Sequence, residues 1–311
     1  MKEQVVELAS KLADLSPRRA DSEREAAQLI KQNIDQDFIE QSYDVVYPDF
    51  QEWFLKVDGQ KINCLPGGLR SGRIEEKNVV NSIHNGQEDV KSPAISFNPY
   101  AEGISAATFY SSPVLAVDPA DIDKVLKADR IEGELKVEWK SEESSNIIVG
   151  NKEDPEKVVM THYDSLWGGF IDNGFSVSLL VNILDEIDLD KNLVVFAGSE
   201  EISHELPYHC YGYRRFEARY SDALQKADQI CVVDSLGRGE QKVIESREIV
   251  EKAIVFSQSR FMEKTKLLAS KYHDVLDIYH SPLDKSEALT DYQSAVELVR
   301  SQIVRSNSSD D

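Results

Sequence analysis

His162, Asp164, Asp172, Glu200, Glu201, Asp234 and His280 are the residues of this 311-residue chain whose types and order could do chemistry. The stretch "VVMTHYDSLWGGFIDNG", residues 158–174, shows the pattern. An apolar run ends abruptly in Thr161, His162, Tyr163 and Asp164, and eight residues later Asp172 stands before a new apolar helical pattern. Glu200 and Glu201 close a second apolar run, "NLVVFAG", and Asp234 closes a third, "QICVV"; His280 follows the strand-like "DIY". In open α/β sheets, sites form at the carboxyl ends of strands. Burying unpaired carboxylates there is prohibitive. Several carboxylates and two imidazoles on one rim therefore need cations to neutralise them.

Charge refines this reading. Asp172, Glu201 and Asp234 supply three negative charges, while His162 and His280 bind as neutral imidazoles. Two divalent ions would leave about one positive charge for a bridging hydroxide, the arrangement of a two-metal hydrolytic centre. The nitrogen and oxygen donors favour zinc, and cobalt or manganese also suit them. Asp172, in a glycine-flanked turn, is the natural bridging carboxylate. Asp164 lies two residues beyond His162, on the same face of an extended strand. It can accept the second imidazole N–H and fix the tautomer. Glu200 adjoins a ligand, a position that suits a general base. Singly, a His-x-Asp or a Glu-Glu pair is ordinary on a solvated surface; the order of the whole set is what points to a metal centre.

The elements that must position these residues can be read from periodicity. Residues 1–35 form two helices, interrupted at Ser16 and Pro17, with Glu23 and Glu25 placed for the first turn of the second. Residues 38–57 are strand-like, with "VDGQ" as a turn. From 59 to 140 the texture is β-rich: "SPAISF" and "SSPVLAV" are short strands, "DPADIDKVLKAD" a compact helix and "GELKVEWK" an edge strand. From 144 onward, strands "NIIVG", "KVVMTH", "NLVVFAG" and "QICVVDS" alternate with helices over "DNGFSVSLLVNILDEI", 209–226, 259–273 and 290–304. This pattern predicts an α/β fold with a largely parallel sheet covered on both faces. The expected division is a catalytic domain of 1–58 and 141–311 around a β-rich insert of 59–140. The terminal "SNSSDD" reads as frayed.

A net charge of −21 would repel phosphate backbones, so nucleic acid is excluded as a partner. No apolar run approaches the ~18 residues of a membrane span. "MKEQVVELASKLADLS" is an amphipathic helix rather than a signal peptide. Three cysteines without CxxC spacing argue against a disulfide scaffold and for a cytoplasmic location. Self-association into a homo-oligomer is left open.

The series "HYDS…IDNG…GSEE…VVDSLG…YHSPLD" resembles the co-catalytic zinc exopeptidases, in particular the family of aminopeptidase Y, bacterial leucyl aminopeptidases and glutamate carboxypeptidase II. The resemblance covers roughly residues 144–304 and the "SPRR…SEREAAQLI" helix. It implies a three-layer α/β/α sandwich around a mixed, mostly parallel sheet, with residues 59–140 as a reduced protease-associated insert. It also implies His162, Asp172, Glu201, Asp234 and His280 as ligands of two zinc ions, Glu200 as catalytic base and Asp164 as the orienting acid. The implied activity is release of amino-terminal residues from peptide substrates. A carboxypeptidase, an amide deacylase, a glutaminyl cyclase and a non-catalytic binding protein are the alternatives on the same fold.

The chain departs from the family after Glu201, where "ISHELPYHCYGYRRFE" replaces the usual glycines, so the family's substrate preference does not carry over. His204 and His209 read as surface-loop residues, and His84 as part of a turn. His273 falls on a helical pattern and is a weaker candidate ligand than His280. Arg214 and Arg215 read as helix-surface ion-pair partners, and Cys210 and Cys231 as small core residues.

Overall fold

The computed structural model describes residues 1–304; "SNSSDD" lies outside the described residues. In chain order the elements are helices α1 (Lys2–Asp14) and α2 (Asp21–Gln32) and strands β1 (Phe38–Val57), β2 (Gln60–Ile62), β3 (Cys64–Pro66), β4 (Gly72–Ile74), β5 (Val79–Asn81), β6 (Ala94–Phe97) and β7 (Val114–Val117). Helix α3 (Ile122–Lys127), β8 (Ile131–Gly150), β9 (Lys157–His162), α4 (Ser176–Asn182), β10 (Asn192–Ala197), α5 (Tyr211–Lys226) and β11 (Gln229–Asp234) follow. The chain continues through β12 (Gln241–Ile244), α6 (Arg247–Ala253), β13 (Thr265–Ser270), α7 (Tyr272–Val275) and α8 (Tyr292–Val299). No helix among the described residues is long and apolar enough to cross a membrane.

The chain divides into two compact units. The first comprises Met1–Val45, Glu142–Asp274 and the residues from Lys285 onward. Its sheet runs β12-β13-β11-β9-β10-β8-β1. The four central strands are parallel, while β8 and β12 join antiparallel. Every residue of β10 is buried, as a strand covered on both faces requires. On one face Val158, Met160, Leu193, Val195, Ile230 and Val232 alternate inward against Tyr213, Phe216 and Leu224 of α5. The register sets the strand ends level: Ala197 pairs with His162, and Met160 with Val232, so Asp234 falls beside His162. Parallel pairing thus brings three distant stretches of sequence to one rim.

The second unit comprises Val46–Ser141 and Val275–Asp284. A four-stranded sheet, β3-β7-β6-β5, shares its core with the β1–β2 hairpin, α3 and the first part of β8 through Leu55, Val57, Ile62, Ile95, Leu115, Val125 and Leu135. The 275–284 segment joins this unit through its backbone. Asn98 Nδ2 donates to the Leu276 carbonyl at 2.7 Å, Ser105 Oγ to that of Tyr279 at 2.6 Å and the Ala106 amide to that of His280 at 3.1 Å. The expected turn in "VDGQ" is present, with Asp58 and Gly59 both at positive φ.

Several elements differ from the sequence reading. The helix expected over 259–273 is a short 3-10 segment, Ser259–Lys264, followed by β13, whose Leu267–Ala269 are buried beside β11. A short apolar run carries no helical repeat, and its pairing partner decides its state. "DIY" before His280 lies in turns, not a strand. "GELKVEWK" and "NIIVG" are one continuous strand, β8. The helix expected from Asp172 becomes regular only at Ser176. Strand β12 and helix α6 carried no expectation.

Candidate metal centre

His162 is the last residue of β9, 2% exposed. Its Nε2 lies 3.3 Å from Asp172 Oδ1 and 3.5 Å from Asp234 Oδ1, and one ligand atom from each of the three lies within 4.8 Å of the others. The donor atoms of a tetrahedral zinc shell, at bond lengths of ~2.0–2.1 Å, are ~3.3–3.4 Å apart. The separations around His162 are therefore those of a shell that a zinc-sized ion fits. Asp172 also brings a carboxylate oxygen within 4.8 Å of one from Glu201. A carboxylate close both to the His162–Asp234 pair and to Glu201 is placed to bridge.

Each of these side chains is fixed by its neighbours. Asp172 lies outside helical backbone, at φ −112° and ψ 84°, in the turn before α4. The next residue, Asn173, is fully buried and ties the turn to the adjoining strands. Its Nδ2 donates to Thr161 Oγ1 at 3.0 Å and to the Val233 carbonyl at 3.1 Å, and its Oδ1 accepts from the Ser235 amide at 3.2 Å. Asp234 Oδ1 in turn accepts from Ser235 Oγ at 3.0 Å. Asp164 lies just past the end of β9 rather than within it, also fully buried. Its Oδ1 sits 3.4 Å from His162 Nδ1, and its Oδ2 accepts from the Glu201 amide at 2.8 Å. One carboxylate thus sets both the histidine ring and the Glu200–Glu201 turn.

Burial works against a charged His162, but Asp164, Asp172 and Asp234 together outweigh it and hold its pKa well above the ordinary histidine value. A lone imidazole among these acids would keep a proton; a bound cation takes the proton's place. Glu200 is 7% exposed. Burial, opposed by His162 and reinforced by Glu201, Asp164 and Asp234, pushes its carboxyl well above the usual range. Cys210 is not merely a small core residue: its Sγ lies 3.0 Å from Glu200 Oε1.

His280 belongs to the second unit, at positive φ (46°), with its ring stacked on Tyr279 at 3.8 Å between centroids. His273 is exposed on α7, its ring tilted at 59° to that of Tyr272. His84 lies in a turn, and His204 is exposed. Arg214 pairs with Glu205 at 3.5 Å, as its helix-surface reading anticipates, and also donates to the Pro207 carbonyl at 3.1 Å.

Sequence reasoning missed two positioning residues. Arg18 is fully buried, and its guanidinium donates to the carbonyls of Tyr163 (2.5 Å), Asp164 (3.3 Å), Leu12 (3.0 Å) and Gly169 (2.9 Å). Asn173 carried a faint signal, as the amide next to Asp172 in "FIDNG". Arg18 carried none.

His209 departs from the surface reading, since its Nε2 is enclosed. Burial, with a contribution from Arg214, lowers its pKa from 6.5 to about 4. Between those values the unfolded chain binds more protons than the folded one, so this contribution is complete above pH 6.5 and is lost as pH falls toward 4. At one pKa unit per 1.36 kcal/mol it reaches at most roughly 3 kcal/mol. His209→Gln is expected to flatten the melting temperature between pH 4 and 6.5, measured by thermal denaturation. An unchanged slope would place the acid sensitivity elsewhere.

No protein-family model matches the chain, and no curated protein does. Solved structures do match. The chain is similar to BSAP, a zinc aminopeptidase from Bacillus subtilis, at 16% identity and a TM-score of 0.64, over 97% of this chain and 95% of that one. It is similar to an aminopeptidase from Aneurinibacillus sp. strain AM-1 at 13% identity and a TM-score of 0.60, over 98% and 95%. A glutaminyl cyclase from Porphyromonas gingivalis matches at 11% identity and a TM-score of 0.51, over 96% and 94%. At these identities the likeness establishes the fold, an α/β chain built on a large mixed sheet.

Proposed function

We propose that this chain is a two-metal aminopeptidase that removes amino-terminal residues from peptides. One observation carries the reading: His162 Nε2 lies at zinc-shell separations from both Asp172 and Asp234, at the rim of a sheet whose fold a zinc aminopeptidase and a second aminopeptidase share. In this reading His162, Asp172, Glu201, Asp234 and His280 would hold the two ions, with Asp172 as the carboxylate common to both. His280 is included for its residue type and its order in the ligand series. Two divalent cations, when bound, polarise the scissile carbonyl and acidify a water molecule.

The remaining steps fall to side chains. Glu200 removes a proton from the water as its oxygen adds to the carbonyl carbon. It then delivers that proton to the nitrogen as the C–N bond breaks, so the amine leaves neutral. The raised basicity of a buried carboxyl suits this exchange near neutral pH, and bound cations would bring its pKa down from the level set by the neighbouring acids. Asp164, facing His162 Nδ1, would hold the ring in the tautomer that leaves Nε2 available as a ligand atom.

Protein stripped by a chelator and dialysed against zinc is expected to retain about two ions per chain, to melt at a higher temperature than the apo form and to cleave aminoacyl amides but not their N-blocked counterparts. Metal analysis, calorimetry and that pair of substrates check it. The structural likeness to a glutaminyl cyclase supports a second reading. About one ion per chain, together with cyclisation of amino-terminal glutamine, would favour it. Failure to bind zinc at all would overturn both.

A further inference from the structure

Cys210 occupies the residue before the first turn of α5, at φ 61° and ψ 23°, the left-handed region where glycine is conformationally easiest. A side chain kept in such backbone points to work done by that side chain. The thiol is fully buried, with Sγ 3.0 Å from Glu200 Oε1. The backbone of the same residue engages the same partner, as the Cys210 amide donates to the Glu200 carbonyl at 2.5 Å. Glu200 lies beyond the end of β10, in a segment without regular structure, so its carboxylate direction is not set by a strand ladder. The two contacts supply what the strand does not.

We infer that Cys210 is the positioning residue of Glu200, its S–H holding one carboxylate oxygen so that the other faces the water to be deprotonated. This inference rests on the aminopeptidase reading for its catalytic meaning, but the contact itself does not. Burial, reinforced by the neighbouring Glu200, raises the thiol pKa well above its ordinary value, so the sulfur keeps its proton and acts as a donor. A second acceptor is within reach, the Ala253 carbonyl at 3.6 Å. A test must therefore show which acceptor the thiol serves.

Cys210→Ala is expected to lower kcat about tenfold to a hundredfold, with KM and zinc content unchanged. Cys210→Ser, whose hydroxyl can donate to the same oxygen, is expected to recover most of that loss, which a purely space-filling role would not produce. The infrared S–H stretch supplies a readout independent of turnover. The band that Cys210→Ala removes is expected to move to higher frequency in Glu200→Gln, where a neutral amide oxygen accepts more weakly than a carboxylate. An unmoved band assigns the thiol to Ala253 and overturns the proposal, as do Ala and Ser variants that both turn over like the wild type. A wild-type protein without peptidase activity but with the band displaced would sink the aminopeptidase reading and leave Cys210 as the group that orients Glu200.

Discussion

Replacing Glu200 by glutamine is expected to lower kcat by about 10²–10⁴ while KM, zinc content and melting temperature stay close to wild type. The amide has the size of the carboxyl and its oxygen can still accept from the Cys210 thiol, so the buried turn keeps its partners. What it loses is the capacity to take a proton from water and hand it to the departing nitrogen. Because Glu200 has no ligand role in the proposed centre, the ions should stay. Glu201→Gln makes the contrast: its acid is a proposed ligand, and the expected first loss is metal, with activity following. Steady-state kinetics and metal analysis on the two variants together separate the roles. A Glu200→Gln protein that turns over normally would remove the base, and one that arrives without zinc would make Glu200 a ligand instead.

The parts of the centre legible in the sequence are those that local pattern controls. Apolar runs ending in His162 and Asp234 identify β9 and β11, and parallel pairing then fixes their level. The parts that escaped depend on contacts between distant residues. Nothing in "SPRRAD" distinguishes Arg18, fully buried, from Arg19, whose guanidinium lies over the Trp167 ring at 5.6 Å. Glu23 reads as an acid complementing a helix start, yet it is 2% exposed and accepts from Ser144 and Ser199. Strand β13 and the turns at 276–280 are not legible in the sequence, because "KLLAS" and "DIY" are too short for either period to show. The contact between Cys210 and Glu200 spans ten residues of a loop with no repeat to announce it.

Arg18→Met is expected to cost about 3–5 kcal/mol of stability, because it strips the donors from four buried carbonyls. The guanidinium joins the end of α1, the segment after β9 and the glycine before the Asp172 turn through four carbonyls. Methionine fills much of the volume but donates nothing, leaving those acceptors dry at about 1–3 kcal/mol each. Relief from burying the cation offsets only part of that. Lysine should not rescue, because a single ammonium cannot span acceptors that a planar fork reaches in several directions. Gly169 marks how tightly the group is enclosed: a Cβ there would sit 2.8 Å from Arg18 Nη1. Since one of the carbonyls belongs to Asp164, whose carboxylate faces His162, weaker zinc retention should accompany the lost stability. Denaturant midpoints and zinc competition titrations on Arg18→Met and Arg18→Lys measure both effects. A midpoint within the ~0.5 kcal/mol typical of surface substitutions would mean that water reaches these carbonyls and that Asp164 is held by other means.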